Sequence, residues 1–287
     1  MAKTPARRPA APPQEEQDEG QSGAGALAEV TGALPASLED ELQGLQGYGY
    51  SERAEDSLVP ILAILQDNSA EVKRQHPRHI EGALPGDLII RSLKRVIHVD
   101  ADAPLVLQPA GFQHMWVCWS GEPGEGQVVA QYPFDERPTE AVARKLNPDD
   151  DRETWVMPDG TRLVDTRYHY CQVFLDGRWT PLAVPFAGTN HTVSRTWTNI
   201  MKGMQLPSGA KAPAWFRAYG FTTKFNSRGS QSWYTYDFRD LGWIGERSVR
   251  EAGRELYESV ESQIISADVR SEGDGAAAQA EDDRIPI

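Results

Sequence analysis

The sequence predicts a mainly β protein, with a core of antiparallel strands arranged as a sheet or barrel and two or three added helices. Two observations support this class, and a third predicts disordered tails on either side of the core. Residues 87–133 consist of short runs of β-branched and aromatic residues separated by Gly, Pro and Asp. Two later stretches have the pattern of β-hairpins. Both ends of the chain have compositions typical of disorder.

The two ends of the chain are acidic and poor in residues that build a core. Residues 1–56 carry 11 acidic and 4 basic groups, and residues 267–287 carry 6 acidic and 2 basic groups. Such segments bury too little apolar surface to offset the entropy lost on ordering. We therefore expect a disordered acidic tail over 1–56, a folded core over 57–266 and a second acidic tail over 267–287.

The first half of the chain holds a series of short predicted elements. Apolar residues at helical spacing predict a helix over 36–46. Residues 57–66, interrupted by Pro60, fit either an entry strand or one helical turn. Residues 138–148 have the composition of a short helix. The predicted strands between these segments lie at 87–93, 95–101, 104–112, 114–119 and 127–133.

The second half predicts two hairpins and two helices. Asp176-Gly177 between two β-rich runs is a strong hairpin signal, and the segment Asn-Ser-Arg-Gly at 226–229 joins the second pair of strands. Apolar stripes at helical spacing predict helices over 191–204 and 246–265. The predicted hairpin strands lie at 167–175, 178–186, 214–225 and 230–238.

The composition indicates a cytoplasmic protein. The sequence has neither an apolar run of the roughly 20 residues needed to cross a bilayer nor the apolar stretch of a secretory signal at its start. Its two cysteines are too few for a disulfide framework and fit a reducing compartment. We expect no membrane association, and the sequence leaves a homo-oligomer open.

Positive charge and aromatic residues are concentrated in residues 178–239. This block has a net charge of +7 within a chain of −13 and holds 12 of the 25 aromatic residues. A groove for single-stranded nucleic acid needs this combination, because cations pair with phosphates while unstacked bases lie on aromatic rings. The alternative interpretation is an aromatic β core with solvated cations outside. The expected nucleic-acid-binding residues are Arg178, Trp179, Arg195, Lys202, Lys211, Trp215, Arg217, Tyr219, Lys224, Arg228 and Trp233.

The chain ends in Glu-Asp-Asp-Arg-Ile-Pro-Ile after a spacer rich in Gly, Ala and Gln. This ending resembles the acidic tip of bacterial and phage single-stranded DNA-binding proteins, which end in acidic residues followed by Ile-Pro-Phe. The resemblance implies an OB-fold core, a small β-barrel that binds single strands, and a tail that recruits replication and repair enzymes. Arg284 and the non-aromatic Ile287 depart from the family pattern. The partner-binding residues implied are Asp282, Asp283, Ile285, Pro286 and Ile287.

Two other kinds of site are geometrically possible. Even spacing within β-like runs would let His114, Cys118, His169 and Cys171 form a tetrahedral zinc site, although the usual Cys-x-x-Cys motif is absent. Carboxylates over 149–153, with Asp159 and Asp165, could hold Mg²⁺ for a nuclease. Motifs for ATPases, metalloproteases and α/β-hydrolases are absent.

Together these patterns predict a protein that binds single-stranded DNA without sequence preference in replication or recombination, for a phage. We expect no catalysis and no cofactor, an OB-like core, and partner enzymes that dock on the C-terminal tail. A Mg²⁺-dependent nuclease or other DNA-processing enzyme, and a phage structural or assembly protein, remain the alternatives.

Overall fold

The computed structural model describes residues 58–121, 127–145, 154–206, 208–229, 231–263 and 265–269, all within one unit, Glu52–Ile287. Their strands are β1 (Leu58–Val59), β2 (Leu62–Ile64), β3 (Leu88–Ile90), β4 (Arg95–Ile97), β5 (Leu105–Ser120), β6 (Gln127–Pro133), β7 (Val142–Arg144), β8 (Thr154–Val156), β9 (Arg162–Leu175), β10 (Arg178–Ala187), β11 (Arg217–Arg228), β12 (Gln231–Trp243) and β13 (Ser266–Ala267). The helices of these residues are α1 (Asn190–Gly203) and α2 (Arg247–Glu261), with short 3-10 turns at Arg91–Leu93, Phe134–Glu136 and Ala214–Phe216. The mainly β class is confirmed.

Two long antiparallel strands, β5 and β9, form the axis of an eight-stranded sheet. At one end of this pair, β11 and β12 extend the sheet beyond β5, and β10 lies beside β9. At the other end, β6 pairs with β5, while β8 and β7 continue beyond β9. The path through these strands does not close on itself in the described part of the chain. The closed OB-type barrel expected from the C-terminal resemblance is therefore replaced by an open sheet.

The alternation of side chains along β9 places a helix on each face of this sheet. His169 and Cys171 face α1, whose Trp197 is fully buried against the sheet. Tyr170 faces the opposite side, where α2 packs through Val260. This helix approaches closely because β5 has a bulge beside Gly111, where a Cβ atom would lie 2.9 Å from Val260.

Two smaller sheets complete the described core. Strands β2, β3 and β4 pack through buried Leu62 and Leu88 against the α1 side of the large sheet. Strands β1 and β13 pair in parallel beside α2. Both helices of these residues are too short and polar to cross a membrane.

The free edge of β12 is protected by side-chain amides. Gln66 Oε1 accepts a hydrogen bond from the Tyr234 N–H at 2.8 Å. Asn190 Oδ1, in the first residue of α1, accepts one from the Tyr236 N–H at 2.9 Å. Both amide side chains are almost completely buried. Two edge donors of β12 are therefore already satisfied, which removes them from pairing with another strand.

Several local predictions are confirmed and one is wrong. Asp176 and Gly177 adopt positive φ angles of 50° and 78° and join β9 to β10, and the helices over 191–204 and 246–265 correspond to α1 and α2. The second hairpin is also present, although its strands extend through most of 226–229. Residues 57–66 contain two short strands rather than a helical turn.

The predicted helix over 138–148 is wrong, because its described part contains β7, which pairs with β8. The helix over 36–46 and both acidic tails, apart from residues 267–269, lie outside the described residues.

Candidate nucleic-acid interface

A pocket of about 550 Å³ lies between α1, the segment that follows it and the middle of β5. It forms where the edge of β5 is open: β11 pairs with Leu105–Leu107 and β6 pairs from Met115 onward. Among the described residues, the stretch between them has no ladder partner on that edge. We call this cavity the α1–β5 pocket. It is lined by Pro109, Ala110, Gly111, Phe112, His114, Arg167, His169, Arg195, Thr198, Asn199, Met201, Lys202, Lys211, Ala212 and Ala214.

Helix α1 is fixed by its buried side, which turns its polar side toward the pocket. Trp197 is fully buried against the aromatic core of the sheet, with its ring centroid 4.7 Å from that of Phe221. Residues Arg195, Asn199 and Lys202 follow one another at intervals of four and three, so they share the other side of the helix. Packing of one indole therefore determines where two predicted cations lie.

Four cations line the pocket, and none of the described lining residues is Asp or Glu. Arg195, Lys202 and Lys211 come from the basic block, whereas Arg167 belongs to β9. Arg167 is half-buried, and its buried Nε atom has no hydrogen-bond partner among the described residues. A buried guanidinium donor without a partner is costly. Arg167 thus adds a fourth positive charge to the lining, from outside the basic block.

Phe112 gives the pocket an exposed aromatic surface. Its side chain is 42% exposed, and its ring meets that of His169 edge to face, with centroids 5.0 Å apart. His169 is itself buried, and its Nε2 atom lies 2.9 Å from Ser194 Oγ. Burial, aided by the charge of Arg167, lowers the pKa of His169 to about 3. The imidazole therefore supports Phe112 as a neutral ring at physiological pH.

A second histidine group lies at one end of the pocket. His114 Nε2 lies 2.6 Å from Asp165 Oδ1, and the His114 ring stacks on Phe134 at 3.6 Å. His191 Nε2 lies 3.1 Å from the backbone oxygen of Asp165 and 3.5 Å from its Oδ1 atom. The Asp165 carboxylate is thus shared by histidines from β5 and α1.

Three further predicted residues share the outer face of the β11–β12 hairpin. Lys224, Asn226 and Arg228 alternate along β11, and Trp233 lies directly opposite Asn226 on β12. Lys224 and Arg228 are exposed, while Trp233 is half-buried. We call this surface, formed by Lys224, Asn226, Arg228 and Trp233, the hairpin face. It gathers two cations around one indole on two adjacent strands.

The remaining predicted residues are dispersed. Arg178 and Trp179 lie beside the β9–β10 turn, where Trp179 contacts Phe174 with ring centroids 5.4 Å apart. Trp215 packs against Tyr257 of α2 at 4.9 Å. These positions are separate from the lining of the α1–β5 pocket.

Two residues of β11 are committed to other contacts. Arg217 donates hydrogen bonds to the carboxylate of Asp240 and lies over the ring of Trp243, 4.7 Å from its centroid. Tyr219 is fully buried, and its hydroxyl group points at Met204 Sδ. A base cannot stack on a sealed ring. Tyr219 is therefore a core residue, which corrects its assignment as a base-binding residue.

The four candidate zinc ligands are not brought together. His114 and His169 line the pocket, but Cys118 lies opposite Leu163 and Cys171 is eight residues further along β9. At about 3.3 Å per residue, that separation is roughly 26 Å. Burial, together with the charges of Asp159 and Glu140, raises the pKa of Cys118 to about 11. Cys118 is therefore an uncharged buried thiol, and a shared zinc site of these four residues is excluded by the strand register.

Two other sets of candidates lie largely outside the described residues. The acidic run over 149–153 belongs to the gap at 146–153, and Asp282, Asp283, Ile285, Pro286 and Ile287 follow the last described residue. Of the described carboxylates, Asp159 Oδ1 accepts a hydrogen bond from the Thr161 N–H at 2.9 Å and so stabilises a turn. No group of three His, Cys, Asp or Glu residues suited to a metal ion occurs in the part of the chain that the structure describes.

Sequence reasoning missed Phe112 and Arg167. Both lie outside the basic block, and they enter the pocket only because β5 pairs with β9, which places Phe112 opposite His169 and His114 opposite Arg167. The available signal was weak: Arg167 and His169 are polar positions that alternate with buried Tyr168 and Tyr170 on a strand. Such alternation indicates a functional or solvated face without specifying which.

The fold and the pocket define a mainly β protein built on an open antiparallel sheet, with a concave cationic site at the edge of a central strand. The family comparison identifies it further. Residues 28–266 match the family model described as Pam3 phage gp34-like protein, so the chain belongs to that family and is a phage protein. Neither the curated proteins nor the solved structures gave a match.

Proposed function

We propose that this phage protein binds single-stranded DNA without sequence preference and that the α1–β5 pocket is its principal contact. The supporting observation is the convergence of four cations, from β9, α1 and the segment after α1, on one cavity whose described lining lacks carboxylates. Phosphates are the anions that such a cluster suits in a nucleic-acid strand. Arg167 adds a positive charge to the lining from outside the basic block and lies directly opposite His114 of β5.

The exposed ring of Phe112 supports a single strand over a duplex. Base stacking on an aromatic side chain contributes roughly 1–3 kcal/mol per base and tolerates every base. In a duplex the faces of internal bases are already stacked on their neighbours. A ligand that uses both Phe112 and the surrounding cations must therefore present an unstacked base next to its phosphates.

Replication or recombination is the proposed setting, in the cytoplasm of the host. The acidic ending at 281–287 supports recruitment of partner enzymes, by its resemblance to single-stranded DNA-binding proteins. Binding without catalysis is the simplest use of this pocket.

Titration of a labelled oligothymidylate and a duplex of equal length, at two ionic strengths, tests the proposal. We expect preference for the single strand, and a slope of log affinity against log salt of about −3 if all four pocket cations contact phosphates. A tenth of the affinity or less is expected after Arg195→Glu, with Arg247→Glu as a matched control because Arg247 lies on the solvent side of α2 and is 84% exposed.

Three outcomes would contradict the proposal. Absence of binding to the oligothymidylate would favour a structural or assembly protein. Equal binding of single strand and duplex would contradict base stacking on Phe112. Cleavage of the labelled strand on addition of Mg²⁺ would favour the nuclease.

A further inference from the structure

A shared carboxylate lies at one end of the α1–β5 pocket, and its partners are titratable. Asp165 Oδ1 lies 2.6 Å from His114 Nε2 and 3.5 Å from His191 Nε2. His114 is a lining residue of the pocket, so it connects the shared carboxylate with a bound ligand. His191 lies in the first turn of α1. The same helix carries the pocket residue Arg195 one turn further on.

Charged residues lie on the described elements around these histidines. Strand β9 carries Asp165 and Arg167, with Arg167 directly opposite His114. Helix α1 carries His191 and Arg195, β5 carries His114 itself, and the 3-10 turn whose Phe134 stacks on His114 carries Asp135 and Glu136. His169, the nearby buried histidine of β9, stays neutral at physiological pH because burial lowers its pKa to about 3.

We propose that His114, His191 and Asp165 make ligand binding in the α1–β5 pocket proton-dependent, so that the pocket holds phosphates more tightly at mildly acidic pH than at neutral pH. This regulation rests on the proposed function, since it concerns the same pocket and ligand. While the His191 imidazole is neutral, Asp165 places a negative charge near the phosphates. Protonation of His191 offsets that charge and adds a hydrogen-bond donor.

The direction of the effect follows from the environment of His191. Burial lowers the pKa of His191 from its ordinary value, the carboxylate of Asp165 opposes this shift, and the positive charges of Arg167 and a protonated His114 add to it. The imidazole is therefore neutral at neutral pH in the free protein. A phosphate in the pocket stabilises the charged imidazole, so binding raises this pKa and takes up a proton.

Binding of a labelled oligothymidylate at about pH 8 and at about pH 5.5 tests the proposal, because thymine does not titrate in this range. We expect the wild-type protein to bind about tenfold more tightly at the lower pH, the effect of roughly one added charge at close range. The double variant His114→Gln, His191→Gln is expected to bind with nearly the same affinity at both. The matched control is His98→Gln, since His98 is an exposed histidine beyond β4 that pairs with Asp87.

A second measurement needs no variant. Calorimetric titration of the wild-type protein with the oligothymidylate, in two buffers of different ionisation enthalpy, is expected to show net proton uptake near pH 6.5. Circular dichroism at both pH values is the test that the double variant is folded.

Each outcome separates the two proposals. Wild-type binding that is independent of pH and releases or takes up no protons would overturn the proton dependence while leaving the proposed function intact, provided Arg195→Glu still weakens binding. A pH dependence that persists unchanged in the folded double variant would also overturn it. Absence of oligothymidylate binding at both pH values would overturn both proposals.

Discussion

The α1–β5 pocket and the hairpin face are made from the same kinds of residue, yet they are assembled from different numbers of structural elements. Both hold cations from the basic block 178–239 beside an aromatic side chain. The hairpin face takes all of its residues from two adjacent strands, whereas the pocket combines β5, β9, α1 and the segment after α1. Composition locates basic and aromatic residues, but long-range packing decides which of them surround a common volume.

The spacing of the charges differs accordingly. Lys224 and Arg228 are four residues apart on β11, about 13 Å at roughly 3.3 Å per residue. The pocket cations lie around a single cavity of about 550 Å³ and include a buried donor without a described partner. Converging charges act on one phosphate group together, because Coulomb attraction falls with distance. We therefore expect the pocket to dominate binding.

Charge reversal should show the largest difference between the two regions. The triple variant Arg195→Glu, Lys202→Glu, Lys211→Glu is expected to lower affinity for oligothymidylate by more than about a hundredfold, because it removes three phosphate contacts and adds repulsion. The double variant Lys224→Glu, Arg228→Glu should cost less than about fivefold. Fluorescence titration at one fixed salt concentration measures both affinities. A larger loss of affinity in the double variant than in the triple variant would identify the hairpin face as the principal site.

Removing the exposed ring of the pocket, compared with removing an exposed ring outside both regions, gives the next largest effect. Phe112→Ala should weaken binding by about 5- to 100-fold, the equivalent of roughly 1–3 kcal/mol of base stacking. Phe225, on the opposite side of the β11–β12 hairpin from Lys224, is 54% exposed and serves as the matched control. Phe225→Ala should change affinity by less than about twofold. Equal losses would show that aromatic exposure alone, without converging cations, governs binding.

Deleting residues 281–287 should have the smallest effect on DNA binding, because it leaves both the pocket and the hairpin face intact. This segment carries three acidic residues and one arginine, so we expect it to compete with DNA for a cationic pocket. Affinity measured by the same titration should be unchanged or up to about threefold higher at low salt. Binding of partner enzymes, measured by pull-down from host extract, should be lost. A truncated protein that binds DNA more weakly contradicts the assigned role of the tail.

The parts of the fold that the sequence predicted correctly are those fixed by local chemistry. Asp176 and Gly177 tolerate positive φ angles, so they permit the tight turn between β9 and β10. Val193 and Trp197, four residues apart, define the buried side of α1 on their own. Neither inference needs knowledge of distant residues.

The errors arise where distant residues decide. Val142 and Arg144 belong to a strand because β8 lies beside them, despite a composition that favours a helix. Sheet closure likewise depends on how β5 divides its edge between β11 and β6. Phe112 and Arg167 reach the pocket through the β5–β9 register, which composition does not encode. Tyr219 is a core residue although the sequence pattern predicted that it binds a base. Tertiary packing decides which aromatic residues are buried, and the sequence pattern does not show it.

Asn190 connects the edge of β12 with the position of α1. Its amide oxygen satisfies a donor on the margin of β12, and its backbone begins the helix that carries Arg195 and Lys202. Loss of this amide would leave the Tyr236 N–H buried without an acceptor and would detach the start of the helix from β12 at the same time. Lower stability and weakened ligand binding would then appear together, as two results of a single missing acceptor.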